Sequence, residues 1–196
     1  MIQIGLPNAT WLGAPSVPRE IVLAPPGSVT GLLFRPLPEM SLLHAGAASN
    51  TSLALSPSGG WQDIKRTDGL HAHLLVTLTI PDFATIVSLE IRGAGTKPGA
   101  PGSVIVTVSR GVILLGGQFG QFDAPFPASL SNSSIVELEI FVDGTATEVF
   151  ANGGERALTS SAPVLAIEGS LLRATAINGT ATLQATTWAM KRSVNV

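Results

Sequence analysis

Apolar and polar positions alternate with a period of two along most of the chain. In His73–Ile80 (HLLVTLTI), Leu74, Val76, Leu78 and Ile80 share one face, while Thr77 and Thr79 take the other. That period marks a strand with one buried face. Comparable runs occupy Glu20–Ala24, Gly31–Arg35, Ser52–Ser56, Ala72–Ile80, Thr85–Arg92, Ser103–Ser109 and Gly111–Leu115. They continue through Ile135–Val142, Thr145–Ala151, Arg156–Thr159, Val164–Ile167, Leu171–Ile177 and Thr180–Met190. Gly, Pro, Asn and Asp clusters separate them, so the pattern predicts an all-β fold of about a dozen strands. The architecture expected is a two-sheet antiparallel β-sandwich, of jelly-roll or concanavalin-like kind. Only Pro38–His44 reads as briefly helical, with Met40 and Leu43 three apart. Gly93–Ser103 and Gly116–Ser134 read as loops, and the second carries Phe119, Phe122 and Phe126, which either form an exposed binding surface or pin the loop on the sandwich edge.

The clearest local structure is a hairpin between Ile135 and Ala151. An Asp143-Gly144 pair suits a two-residue turn, which sets Val142 against Thr145, Ile140 against Thr147 and Leu138 against Val149. One face is then Val136, Leu138, Ile140, Val142 and Val149. The other carries Glu137, Glu139 and Glu148 with Phe141 and Phe150. In this register Glu139 faces Glu148, a like-charge pair that needs a compensating partner. Three resolutions are open. An arginine, Arg19 or Arg156, clamps the carboxylates; a Ca²⁺ ion sits between them; or the register slips at a bulge and the pair never forms.

Composition narrows the function classes. The 196 residues include 21 Gly and 14 Pro and carry a net charge of −2. Lys65-Arg66 and Lys191-Arg192 are the only adjacent basic pairs, too little for a nucleic-acid footprint. No apolar run approaches the ~18 residues of a membrane helix, and the first residues lack the pattern of a signal peptide. Only 12% of residues are charged, and mean hydropathy is +0.40. Either the sandwich core is well filled, or surface is buried against a partner or a second copy. The chain has no cysteine, which removes disulfides and thiolate metal sites. Four N-x-[ST] sequons, at Asn8, Asn50, Asn132 and Asn178, fall among six asparagines. That excess suggests secreted ancestry; localisation stays open.

Four segments carry a family resemblance. Leu6–Glu20 (LPNATWLGAPSVPRE), Arg35–Met40 (RPLPEM), the hairpin wording VDG…EVFANGG…LTS, and Trp188–Val194 (WAMKRSV) occur in this order. Together they resemble the C-terminal β-sandwich of glycoside hydrolase family 32, the invertases, inulinases and levanases. The resemblance implies one sandwich domain over residues 1–196, with 1–20 similar to the linker that follows the family's propeller and 21–196 forming the sandwich. The family's catalytic motifs (Asn-Asp-Pro, Arg-Asp-Pro and Glu-Cys) belong to that propeller. The chain has no Asp-Pro dipeptide. Retaining hydrolysis needs two carboxylates roughly 5 Å apart across one sugar bond, and no pair here matches either catalytic motif. The expectation is a protein that is not an enzyme by itself and needs no cofactor.

Sugar recognition pairs an aromatic platform with polar groups. Trp61, followed by Asp63, Lys65 and Arg66 and then by His71 and His73, is the best such cluster, though Trp61 could instead cap the core. His71 and His73 point the same way on one strand, acceptable spacing for metal ligands, but no third ligand is evident. Solvent-facing strand histidines are the default, as for His44; no metal is expected. Two function classes follow. One is a lectin-like, carbohydrate-binding or self-associating module, with a glycan or a homo-oligomer as partner. The other is the accessory C-terminal part of a fructan or sucrose hydrolase, whose propeller is missing or lies on another chain. An exposed apolar patch would favour the second; a polar or self-covered one, the first.

Overall fold

The computed structural model describes residues 16–26, 31–64, 71–93, 103–117, 120–125, 133–144, 146–161 and 171–191. Fourteen strands are described: β1 (Arg19–Leu23), β2 (Leu32–Pro36), β3 (His44–Leu55), β4 (Gln62–Asp63), β5 (His71–Thr79), β6 (Ile86–Gly93) and β7 (Val104–Val108) come first. They are followed by β8 (Val112–Gly117), β9 (Gly120–Pro125), β10 (Ile135–Asp143), β11 (Ala146–Ala151), β12 (Arg156–Ser161), β13 (Leu171–Ile177) and β14 (Ala181–Met190). Short 3₁₀ turns span Pro38–Leu43 and Pro57–Gly59.

Two six-stranded antiparallel sheets hold most of these strands. Sheet I runs β12-β11-β10-β5-β14-β3, and sheet II runs β4-β13-β6-β7-β8-β9. The expected sandwich is therefore present. Its core forms where the period-two stripes of the two sheets meet. Leu78, Ile140 and Leu183 from sheet I and Leu89, Val106 and Ile113 from sheet II are fully buried in one cluster. β1 and β2 stand apart as a two-stranded ribbon.

The hairpin register differs from the expected one. Asp143 pairs with Ala146, so Val142 meets Thr147, Phe141 meets Glu148 and Glu139 meets Phe150. The turn sits one residue later, with Gly144 at φ +54°; Thr145, its expected flanking residue, lies outside the described residues. Each partner moves by two, which preserves both faces, because side chains alternate with a period of two. The Glu139–Glu148 confrontation is thereby removed without a bulge, as the ladder is continuous. Each glutamate instead faces an aromatic ring across the strand pair.

Two strands are additional to the sequence expectation. β9 falls inside the expected loop Gly116–Ser134, and β4 is a two-residue strand beside β13. Val164–Ile167 and most of Gly93–Ser103 lie outside the described residues, as do Phe119 and Phe126.

Candidate functional site

The outward face of sheet I carries most of the polar chemistry. Its register aligns Thr159, Glu148, Phe141, His73 and Trp188 in one row across five strands. Residues on an outer face are normally wet, yet Glu148, Phe141, Phe150 and His73 are all buried. A strap of chain covers them. It comprises the β1–β2 arm and the 3₁₀ turn Pro38–Leu43, which leads into the edge strand β3.

Several contacts fasten the strap. The Arg19 guanidinium pairs with the Glu148 carboxylate and lies 5.0 Å from the Phe150 ring centre. The Val17 N–H donates to the other Glu148 oxygen at 2.6 Å. Phe34 N–H donates to Gly154 O at 2.9 Å, and Arg35 Nε to Gly153 O at 2.9 Å. At the far end, Lys191 N–H donates to Leu43 O at 2.7 Å. Gly154 is required here. Its φ is +94°, and a Cβ would lie 2.7 Å from the Phe34 carbonyl carbon, so the β11–β12 turn meets β2 backbone to backbone.

Beneath the strap a histidine pair is tied to a carboxylate. His73 Nε2 lies 3.0 Å from Glu139 Oε1, and His44 Nε2 lies 2.8 Å from His73 Nδ1. A carboxylate only accepts, so His73 donates through Nε2, and in its neutral form its Nδ1 accepts from His44 Nε2. The rings are stacked: His44 on Trp188 at 4.6 Å, His73 on Phe141 at 4.2 Å. Burial, and then the neighbouring His73, hold His44 below the ordinary imidazole range. The expectation of solvent-facing strand histidines thus fails at His73, because the strap and Trp188 close over it. His71, two residues earlier, is only partly covered and pairs with Asp143 at 2.7 Å.

Between strap and sheet lies a cavity of about 500 Å³. Its floor includes His73, Leu75, Thr77, Glu137 and Glu139, and its roof includes Glu20, Arg35, Pro36, Met40 and Ser41. Glu20 and Arg35 sit opposite each other in the β1–β2 ribbon. Neither the Glu20 nor the Glu137 carboxylate has a hydrogen bond or ion pair among the described residues.

The structure divides the sequence-predicted residues. Of the two candidate arginines, Arg19 pairs with Glu148 and also donates to Thr159 Oγ1 at 3.4 Å but does not reach Glu139, while Arg156 donates to the backbone oxygens of Pro125 and Glu155. Glu139 goes to His73, and Glu137 stays at the cavity mouth. Trp61 and Asp63 are not beside His71 and His73. Asp63 belongs to β4 of sheet II, and Trp61 lies 5.5 Å from the Arg173 guanidinium on the outer face of that sheet. Arg173 there pairs with the fully buried Glu90. Two sheets facing one core put their outer faces on opposite sides, so Trp61 and Asp63 do not share a site with His71 and His73. Lys65 and Arg66 lie outside the described residues, as do Asn8 and Asn132. Asn50 is exposed on β3 and accepts from Thr186 at 2.9 Å. Asn178 is exposed in the β13–β14 turn at φ +60°. No group of three His, Asp or Glu side chains among the described residues is placed to hold a metal ion. Sequence reading missed His44 as a partner of His73, along with Glu20 and Arg35. The Glu20/Arg35 pairing across two predicted strands was the available signal.

Comparison with known proteins places this geometry in a family. The family description "Glycosyl hydrolases family 32 C terminal" matches residues 41–162. No curated protein matches the chain in sequence. Among solved structures, an exo-inulinase from Aspergillus awamori aligns with a TM-score of 0.71 and 20% identity, over 94% of this chain and 37% of that one. Fructan 1-exohydrolase IIa from Cichorium intybus aligns with a TM-score of 0.72 and 16% identity, over 93% of this chain and 42% of that one. A Bombyx mori GH32 beta-fructofuranosidase aligns with a TM-score of 0.61 and 16% identity, over 91% and 33%. The chain therefore spans well under half the length of these enzymes, and at such identities the likeness is one of fold. With its family match covering more than half of the sequence, the chain belongs to glycosyl hydrolase family 32, as the C-terminal β-sandwich of that family.

Proposed function

We propose that this chain is a non-catalytic, accessory β-sandwich of a fructan- or sucrose-hydrolysing assembly, and that it docks against the catalytic propeller through the outer face of its β1–β2 arm. The observation that carries this is an apolar strip. The ribbon register sets Ile21 opposite Phe34 and Leu23 opposite Leu32 on the face turned away from the sandwich. These side chains are 64%, 38%, 80% and 43% exposed, with Leu42 of the adjoining turn 71% exposed. A contiguous strip of this kind on an arm marks an interaction surface. The opposite face of the same ribbon is turned inward, with Leu33 buried, so the strip is not left over from core packing.

The test uses the purified chain. It should release no fructose from sucrose or inulin, sediment as a monomer, and bind an apolar dye that Leu23→Asp and Phe34→Asp displace. Fructose release would refute the non-catalytic reading. A reversible dimer dissociated by Leu23→Asp would assign the strip to a second copy of the chain, the self-associating alternative. Dye binding unaffected by either substitution would remove the strip as a docking face.

A further inference from the structure

We infer that the cavity beneath the strap is a binding site for a small neutral polyol, a mono- or disaccharide or an alditol, held by Glu20, Arg35, Glu137 and Glu139. Its volume of about 500 Å³ lies within the ~300–1,000 Å³ typical of small-molecule sites. The polar groups that line it have unspent hydrogen-bonding capacity. Glu20 and Glu137 have no side-chain partner among the described residues. Glu139 uses only Oε1, on His73, and Arg35 uses only Nε, on Gly153. What remains is a set of acceptors on three carboxylates and the two terminal amino groups of one guanidinium.

Charge and geometry select among ligand classes. A metal ion needs converging carboxylates, and the described residues contain no such group. An anion meets three carboxylates against one arginine. A simple amine pairs with the carboxylates but leaves the Arg35 donors unused. A zwitterionic amino acid matches Arg35 with its carboxylate but has a single ammonium to share among three glutamates. A polyol supplies several O–H donors for the carboxylates while its oxygens accept from Arg35, and it adds no charge of its own. Pro36, Met40 and Leu75 provide apolar wall for its C–H surface. The floor has no open aromatic platform, since Phe150 is only 2% exposed, so recognition here is by hydrogen bonds. This site lies on the inner face of the arm, whereas the apolar strip occupies its outer face.

The test is an amide-resolved NMR titration of the chain with D-fructose, sucrose and sorbitol up to about 50 mM, with glycine and L-lysine as controls. The expected result is a shift of the Ser41, Thr77, Gly153 and Gly154 amides by the polyols. Half-saturation should be insensitive to salt between low and high ionic strength. It should rise roughly tenfold in Glu20→Gln and in Glu137→Gln. Neither side chain has a partner to lose, so both variants should melt with the parent, a check made on the same samples. Absence of polyol shifts, shifts produced only by glycine or lysine, or half-saturation unchanged in both variants would each overturn the inference. Polyol shifts confined to Gln62 and Ile64 would overturn it too, placing recognition near Trp61. A failed docking test leaves this titration untouched, because dye binding reads the other face.

Discussion

Replacing Gly154 with alanine should release the strap without unfolding the sandwich. Two costs arise at this position. An L-residue at φ +94° is strained by about 1–2 kcal/mol. In addition, the new Cβ would lie 2.7 Å from the Phe34 carbonyl carbon, whereas ordinary contact begins at 3.4 Å. β2 must then retreat by at least 3.4 − 2.7, or about 0.7 Å, because the Phe34 carbonyl oxygen lies nearer still. That stretches the Phe34 N–H···O Gly154 bond from 2.9 Å to about 3.6 Å or more, where it no longer counts as a hydrogen bond. Its loss adds about 1 kcal/mol, so the arm is destabilised by about 2–3 kcal/mol in total. Gly31 supplies the control. Its φ is +68°, but nothing lies within 4 Å of a Cβ there, so Gly31→Ala carries only the strain, about 1 kcal/mol after the unfolded-state gain. Native-state hydrogen exchange separates the two. The Phe34 and Leu37 amides should exchange about tenfold faster in Gly154→Ala than in Gly31→Ala, while the Val76 and Leu138 amides keep parental protection. Equal acceleration in both variants would refute the close-approach argument. Loss of protection at Val76 would refute the arm as a separately opening unit.

Three further outcomes follow from the same structure. Because the folded-state pKa of His44 is depressed, the unfolded chain takes up a proton first as pH falls below about 6.5. Stability is then full above that pH and declines below it until folded His44 titrates; a thermal-melt series should show a shallower decline in His44→Gln. The Glu155 carboxyl is held above its ordinary range by burial, partly opposed by Arg156, so its contribution has the opposite sign and is lost as pH rises through the folded pKa; Glu155→Gln should therefore raise stability at neutral pH. Leu78, fully buried in the core, should cost about 2–5 kcal/mol in urea unfolding when changed to alanine, with the cavity ligand response intact below the transition.

The strands were legible where both faces speak. β5, β10 and β13 alternate cleanly, and their expected bounds agree with the structure to within a residue. β3 was expected only from Ser52, because His44–Thr51 is a run of small and polar residues (HAGAASNT) on an edge strand paired on one side. β9 hid among glycines and prolines that read as a loop. The site was legible in part. The paired glutamates signal that compensation is needed, but the expected arginine bridge between them does not form: Arg19 pairs with Glu148 and Glu139 goes to His73. The turn position was not legible, since Asp143-Gly144 serves as well one residue earlier, and the one-residue difference decides whether Glu148 meets Glu139 or Phe141. His73 was misjudged because its burial depends on residues remote in sequence: His44 is 29 positions away, and Trp188 arrives from β14. Strand periodicity assigns a residue to a face, but it carries no information on whether another segment later covers that face.

The strap gives one short ribbon two unlike surfaces, and this ties them energetically. Glu20 and Arg35 look inward to the cavity, while Ile21 and Phe34 look outward, and the same backbone carries both. Anything seated on the outer strip restrains the ribbon and so lowers the cost of ordering the cavity roof around a ligand. Linkage makes the effect reciprocal: a ligand that closes the roof strengthens docking by the same factor by which docking strengthens the ligand. The size of that factor is limited by how far the free arm opens, which is what exchange at Phe34 and Leu37 reads. An arm that stays closed in the isolated chain leaves nothing to couple. One that opens often gives a measurable factor, and Gly154→Ala should enlarge it by weakening the free arm's closed state. If both proposals hold, the cavity and the apolar strip serve separate partners, joined by a ribbon whose opening sets how strongly each senses the other.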